Sequence, residues 1–225
     1  MDALIETFWR DLCARCPQWQ GAAAAFGAAV RLLAECVAAG GKILLCGNGG
    51  SAADAEHIAG ELMKSFLLPR PLPEAFLRRA RSAYPQQAAE LARLEGGIAA
   101  IPLVSGVALP TAFANDVDGR LAFAQQVYAL ARPGDVVWGI STSGNSANVN
   151  QALRTARLLS CRTLGLTGRD GGEMAGLLDV ELRAPSSRTP QVQELHLPMY
   201  HALCACLEAV VFGVPAQAAA ATDAG

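Results

Sequence analysis

A three-layer α/β/α sandwich around a five-stranded parallel sheet is the fold class this chain predicts. Three observations predict it. Short apolar runs alternate with helical stretches from residue 42 onward. Those runs have the near-continuous hydrophobicity of strands buried on both faces. Two of them end in glycine–serine loops that lead directly into a helix, as strand-to-helix turns of a layered α/β domain do.

The elements follow in chain order. Residues 1–10 (MDALIETFWR) read as the opening of an amphipathic helix. A second helical pattern runs from 21 to about 39, with Phe26, Val30, Leu33 and Val37 on one stripe, and Gly40-Gly41 stops it. Strand candidates are 42–46 (KILLC), 98–104 (IAAIPLV), 135–140 (DVVWGI), 162–166 (RTLGL) and 179–183 (DVELR). Helical stretches at 51–66, 121–132, 146–159 and about 192–212 separate or follow them. Residues 70–97 do not fit the alternation. They begin Pro-rich (RPLPEAF) and then read helical from 74 to 95, with an interruption at Pro85. Phe76, Leu77, Ala80, Tyr84, Ala88, Leu91 and Leu94 recur mostly at three- and four-residue spacing. That spacing predicts an amphipathic helical insertion lying on the body of the protein, and it could bring Arg78 or Arg81 to a bound anion. A solvated basic face is the simpler reading of those arginines.

Composition narrows the function classes. Of 225 residues, 52% are hydrophobic and 17% charged, which is globular and not disordered. A net charge of −2 gives no overall attraction to nucleic acid or to an anionic membrane, so an anionic ligand must be held by local features. The N-terminus lacks the basic start and apolar run of a secretory signal, and Glu208 interrupts the apolar stretch 203–214 before it reaches the length of a membrane span. Seven cysteines without framework spacing point to a reduced, cytoplasmic compartment. Cys13 and Cys16 form a lone C-x-x-C, for which buried thiols are the default reading.

The two loops carry the first chemical signal. One reads Cys46-Gly47-Asn48-Gly49-Gly50-Ser51 and the other Ser141-Thr142-Ser143-Gly144-Asn145-Ser146, each at the end of a strand and the start of a helix. Glycines allow close approach of backbone to an anion, while hydroxyls and free N–H groups at a helix start donate to phosphate oxygens. Neither loop is a Walker A or a G-x-G-x-x-G motif. Either alone could be a turn with a capping serine; two at equivalent places in one sheet argue for a phosphate site. His57 and Glu61, four apart on the helix that leaves the first loop, share a face roughly 6 Å apart. With a second histidine they make a plausible divalent-metal set. Otherwise they are a surface helix pair, with His201 a core histidine.

These segments resemble the SIS (sugar isomerase) family, and more narrowly its phosphoheptose isomerases. The resemblance rests on CGNGGSAADAEHIAGEL (46–62), FANDVDG (113–119), GISTSGNSANV (139–149), LTGRDGGEMAG (166–176) and QELHLPMYH (193–201). It implies one SIS domain over residues 1–215, with 216–225 a disordered tail. It implies conversion of sedoheptulose 7-phosphate to an aldoheptose 7-phosphate, D-glycero-D-manno-heptose 7-phosphate, an early step toward the heptose precursors of bacterial surface polysaccharide such as lipopolysaccharide. Phosphate contacts are implied for Ser51, Ser141, Thr142, Ser143 and Ser146, and sugar contacts for Asn48, Gly49, Gly50, Asn115, Asp116 and Gln193. A divalent metal, commonly zinc, is implied at His57, Glu61, Gln193 and His201, and a homotetramer with sites at subunit interfaces. Glu61 and His201 match the family's catalytic pair. Gln193 and His201 are eight residues apart, about 12 Å on a regular helix, and Pro198 between them should kink or start that helix. Either Gln193 lies on an extended lead-in or neighbouring subunits supply different ligands. A rival reading is a non-catalytic SIS regulator that binds a phosphosugar or a replication-initiation protein. Relatives of the initiator-binding kind lack the equivalents of Glu61 and His201, which this chain retains.

Overall fold

The computed structural model describes residues 1–213; the tail expected to be disordered at 216–225 lies outside the described residues. Five strands form one parallel sheet: β1 (Ile43–Gly47), β2 (Ala100–Pro102), β3 (Val136–Ser141), β4 (Arg162–Thr167) and β5 (Val180–Arg183), in the spatial order β2-β1-β3-β4-β5. All five strand expectations hold to within a few residues. The largest difference is β2, which keeps three residues of a run of seven. It is an edge strand and Pro102 has no N–H to extend a ladder, which is where proline in a sheet belongs.

Side chains alternate between the faces with period two. On one face Ile43 and Leu45 of β1 join Val136, Trp138 and Ile140 of β3, Leu164 and Leu166 of β4, and Leu182 of β5. This face packs under helices α1 (Asp2–Arg15), α2 (Ala23–Ala38), α3 (Gly50–Met63) and α9 (Thr189–Phe212). On the other face Leu44, Cys46 and Val137 meet α7 (Ala122–Leu130) and α8 (Ala147–Leu158). The result is the three-layer sandwich. Phe26, Val30 and Leu33 of α2 are spent on this core, and Trp19, in a turn between α1 and α2, donates its indole N–H to the Leu195 carbonyl of α9 at 3.2 Å.

Helix α9 starts at Thr189, with Pro190 in its first turn, and runs unbroken through Pro198. The helix expected from about 192 to 212 is therefore present. Of the two effects expected at Pro198, a kink or a start, the start does not occur, and Gln193 lies on the helix and not on an extended lead-in. Proline removes one backbone bond, and burial against α1, α2 and α3 outweighs that loss. By length and composition α9 and the 17–38 segment could each cross a bilayer; here both contribute to the core cluster.

The insertion is helical in two pieces: α4 (Glu74–Ala83), a turn through Pro85, and the single-turn α5 (Ala88–Leu91). Contrary to expectation, its apolar stripe is not covered by the described residues. Only Ala80 of α4 is buried, while Phe76, Tyr84 and Leu94 are 41%, 60% and 54% exposed. Periodicity says which residues share a face, but not whether the same chain supplies something to cover it. The base of the insertion is firmly tied. Gly96 N–H donates to the Arg70 carbonyl at 2.7 Å, and Ile98 N–H to the Leu62 carbonyl at 2.9 Å. A helix α6 (Ala108–Phe113), continued by a turn over Ala114–Asp118, carries the FANDVDG segment and has no counterpart among the expected elements.

Candidate active site

Strands β1 and β3 are neighbours, but the chain leaves β1 toward β2 on one side and leaves β3 toward β4 on the other. That reversal opens a crevice at the carboxyl ends of β1 and β3, where ligands of open parallel sheets bind. Both glycine–serine loops end there.

In the first loop Gly47 leaves no room for a side chain, since a Cβ would stand 2.5 Å from the Ser51 carbonyl oxygen. Gly49 has φ +57°, the left-handed region that glycine tolerates. A Cβ on Gly50 would collide with the side-chain amide of Gln193, so these two predicted sugar contacts are adjacent. Ser51 is buried at the first turn of α3. In the second loop the Ser141 and Ser146 hydroxyls are 2.9 Å apart, and Ser141 Oγ accepts the Gly144 N–H at 3.1 Å. Ser143 Oγ accepts the Asn145 N–H at 3.2 Å, and Thr142 is half-buried beside them. Gly144, at φ +66°, lies against the Gly171 carbonyl where no side chain fits. Asn48 and Asn148 exchange two amide hydrogen bonds of 2.8 Å, joining the first loop to α8. Between the first loop and residues 104–123 lies a cleft of about 320 Å³, with Asn48, Gly49, Val104, Pro110 and Phe123 in its wall. Asn115 and Asp116 are exposed and bonded to each other at 2.9 Å, on the segment between Pro110 and Gly119, which do reach the cleft.

Along α3 from the first loop stand His57 and Glu61, facing His201 of α9. His57 Nε2 is 3.1 Å from Glu61 Oε1 and 3.3 Å from His201 Nε2. All three ligand atoms lie within 4.8 Å of one another. Nitrogen and oxygen ligands bonded to zinc at about 2.0–2.1 Å in a tetrahedron stand about 3.4 Å apart. The set therefore has the right atoms for a divalent ion, with two of its three spacings close to that value and the third within 4.8 Å. Glu61 Oε2 adds a second indication, being buried with no hydrogen-bond partner. Burial, with the charges of His57 and Arg15, holds His201 below the usual histidine range against the opposing pull of Glu61. A neutral imidazole is the form that can accept a proton or a metal. Gln193 is two helical turns from His201 on α9, about 12 Å, so it does not join this group within one chain.

Several residues at the site went unassigned from sequence. Tyr200 is buried, its hydroxyl 3.0 Å from His57 Nδ1 and 3.3 Å from Asp54 Oδ1. Burial raises the phenol and the Asp54 carboxyl above their usual ranges, and the hydrogen bond between them opposes the rise at Asp54 and adds to it at Tyr200. Behind Glu61, Arg70 donates to the Glu61 and Leu62 carbonyls at the end of α3 at 2.9 and 2.6 Å, and pairs with Glu208 at 2.7 Å. Glu208 also accepts the N–H groups of Phe66, Leu67 and Leu68. The one acid in the apolar run of α9 was the available signal for that network. Arg81, considered for a substrate role, pairs with Glu74 on the exposed insertion.

The model of the SIS domain matches residues 9–105 and 97–168. A phosphoheptose isomerase of Geotalea daltonii is 44% identical over 186 residues, covering 83% of this chain and 84% of that one. The chain belongs to the phosphoheptose isomerases of the SIS-domain family. The phosphoheptose isomerase of Helicobacter pylori is 42% identical over 189 residues, or 84% of this chain and 85% of its own. Among solved structures, the phosphoheptose isomerase of Neisseria gonorrhoeae superposes with a TM-score of 0.63 at 39% identity, covering 80% of this chain and 83% of that one. That of Francisella tularensis gives 0.69 at 28% identity, over 92% and 97%. This phosphoheptose isomerase family member is thus an aldose–ketose isomerase of a phosphorylated sugar, with Glu61, His57 and His201 as a possible metal site.

Proposed function

We propose that the enzyme interconverts sedoheptulose 7-phosphate and D-glycero-D-manno-heptose 7-phosphate, toward heptose precursors of surface polysaccharide such as lipopolysaccharide. The observation that carries this is a single helix, α3, with an anion loop at its start and Glu61 and His57 farther along one face. At 1.5 Å per residue, His57 is about 9 Å along the axis from Ser51. That span suits an extended six- or seven-carbon sugar phosphate better than a triose phosphate. Ser51, Ser141, Thr142, Ser143 and Ser146 hold the phosphate with backbone N–H groups of both loops. Asn48, Gly49, Gly50, Gln193, Asn115 and Asp116 contact the sugar. Glu61 removes the proton from the carbon next to the carbonyl and returns it to the neighbouring carbon. His201 moves the proton between the two oxygens, and the two roles exchange with the direction of reaction. His57, Glu61 and His201 would hold zinc, which when bound polarises the carbonyl and offsets enediolate charge. Gln193 joins as a ligand only if a neighbouring subunit brings it there.

The enzyme works as a homotetramer in the cytoplasm. Free thiols at all seven cysteines and the uncovered apolar residues of the insertion support these two statements. Purified protein is assayed against a panel of ketose phosphates, with and without chelator. Heptulose 7-phosphate should be the preferred substrate, chelation should lower turnover, and zinc should restore it. Glu61→Gln and His201→Ala should each abolish turnover while still binding the phosphosugar. Wild-type rates in both variants would refute the assignment, and light scattering that reports a fully active monomer would refute the assembly.

A further inference from the structure

The hydroxyl of Tyr200 touches two groups and has one proton. Its oxygen is 3.3 Å from Asp54 Oδ1 and 3.0 Å from His57 Nδ1. The ring is held edge-on against both histidines, with centroids 5.4 Å from His57 and 5.0 Å from His201. Two proton arrangements satisfy these distances. In one, the phenol donates to His57 Nδ1, and His57 Nε2–H donates to Glu61. Asp54 then has no donor at all, because its other oxygen, Oδ2, is already buried without a partner. Asp54 is half-buried with Oδ2 dry, and leaving such a carboxylate without a donor costs about 1–3 kcal/mol. In the other arrangement the phenol donates to Asp54 and its oxygen accepts the His57 Nδ1–H. Every polar atom facing Tyr200 is then used, and the proton is absent from Nε2.

Nε2 is the atom 3.1 Å from Glu61 Oε1 and 3.3 Å from His201 Nε2. We propose that Tyr200, oriented by Asp54, is a positioning residue that fixes the Nδ1-protonated tautomer of His57 and presents a bare Nε2 to a divalent cation. This deepens the metal reading given under Proposed function and rests on it. Hydrogen bonding at the far nitrogen is the usual means by which proteins orient a metal-binding histidine and raise its basicity. Here the means is a phenol interposed between carboxylate and imidazole, so the carboxylate acts on the ring without touching it. Phenylalanine at 200 would keep the packing and lose the acceptor, leaving Nδ1–H unpaired whenever Nε2 binds the ion.

The full-length wild type, Tyr200→Phe and Asp54→Asn are compared by zinc titration against a chromophoric chelator. Long-range nitrogen–proton NMR of the zinc-loaded wild type reads the His57 tautomer. Tyr200→Phe should weaken zinc binding about tenfold or more, beyond whatever lowering of the metal-free unfolding midpoint follows from the loss of Asp54's donor. Asp54→Asn, which can still accept the phenol proton but carries no charge, should fall between the two. The NMR should find the His57 proton on Nδ1 and the metal on Nε2. A folded Tyr200→Phe protein that binds zinc as tightly as wild type overturns the inference. If that variant does not fold, the wild-type spectrum decides: a proton on Nε2 overturns the inference and a proton on Nδ1 upholds it. A wild type that takes up no zinc fails at the earlier step, overturning the metal reading and this inference with it.

Discussion

Replacing Glu208 with alanine should destabilise the protein at least as much as a large loss of apolar packing in the core. Its side chain and that of Arg70 are fully buried, and they pair at 2.7 Å. Removing the acid leaves a guanidinium in the interior, for which breaking a buried pair costs about 3–5 kcal/mol. It also removes the acceptor of three backbone N–H groups, at Phe66, Leu67 and Leu68, spaced 2.8, 2.8 and 3.0 Å from the carboxylate. Each unsatisfied donor costs about 1–3 kcal/mol if it stays dry. The local chain will open to water before all three are paid in full, so the total should be about 4–6 kcal/mol. At roughly 2–4 °C per kcal/mol for a chain of this size, the midpoint should fall by about 10–20 °C. Urea unfolding and calorimetry at one fixed protein concentration measure both quantities. The double variant Arg70→Met, Glu208→Leu should recover the part owed to the unpaired charge, but not the three N–H groups. A Glu208→Ala protein within about 1 kcal/mol of wild type would refute the reasoning.

Gly50→Ala should raise KM for the phosphosugar several-fold without lowering the melting temperature, because the new methyl displaces the Gln193 amide while alanine suits a helix start; an unchanged KM would remove Gln193 from the sugar site. His196 donates Nε2–H to the Thr167 carbonyl, and burial depresses its pKa to about 4 from the ordinary 6.5. A depressed histidine favours the fold fully above pH 6.5, and its contribution fades as pH falls toward 4, by up to about 3 kcal/mol. Urea unfolding between pH 7 and 4 should show that decline in wild type and a shallower one in His196→Gln; equal slopes would exclude His196 as its source.

The strands were legible because parallel strands buried on both faces leave unmistakable apolar runs, and both loops because only glycine fits their backbone. The pairing of His57 with Glu61 followed from helical spacing alone. What was not legible depends on contacts between distant segments. Nothing local to Arg70 says that it meets Glu208, or that Tyr200 reaches back to Asp54. Pro198 left a kink and a start both open for the same reason: a proline's local cost is visible, whereas the burial that keeps the helix running through it belongs to three other helices. The insertion's stripe was correctly read as amphipathic, but its exposure depends on what lies opposite.

Helices α3 and α9 are joined on both sides of the His57, Glu61 and His201 cluster. Tyr200 meets Asp54 on one side, and Glu208 with Arg70 holds the end of α3 on the other. Eight residues separate the two attachment points on α9, about 12 Å of helix. Packed helices that meet at one polar contact can slide past each other by small shear steps; helices pinned at two points cannot slide without breaking one. The spacing of the three cluster atoms is therefore insulated from whatever the rest of the molecule does as substrate arrives and leaves. The opposite wall of the cleft, residues 104–119, is built differently: it is largely exposed, and its helix α6 packs on the segments that follow it in the chain. The cluster is thus braced from two sides, whereas the facing wall of the cleft rests on its own sequence neighbours.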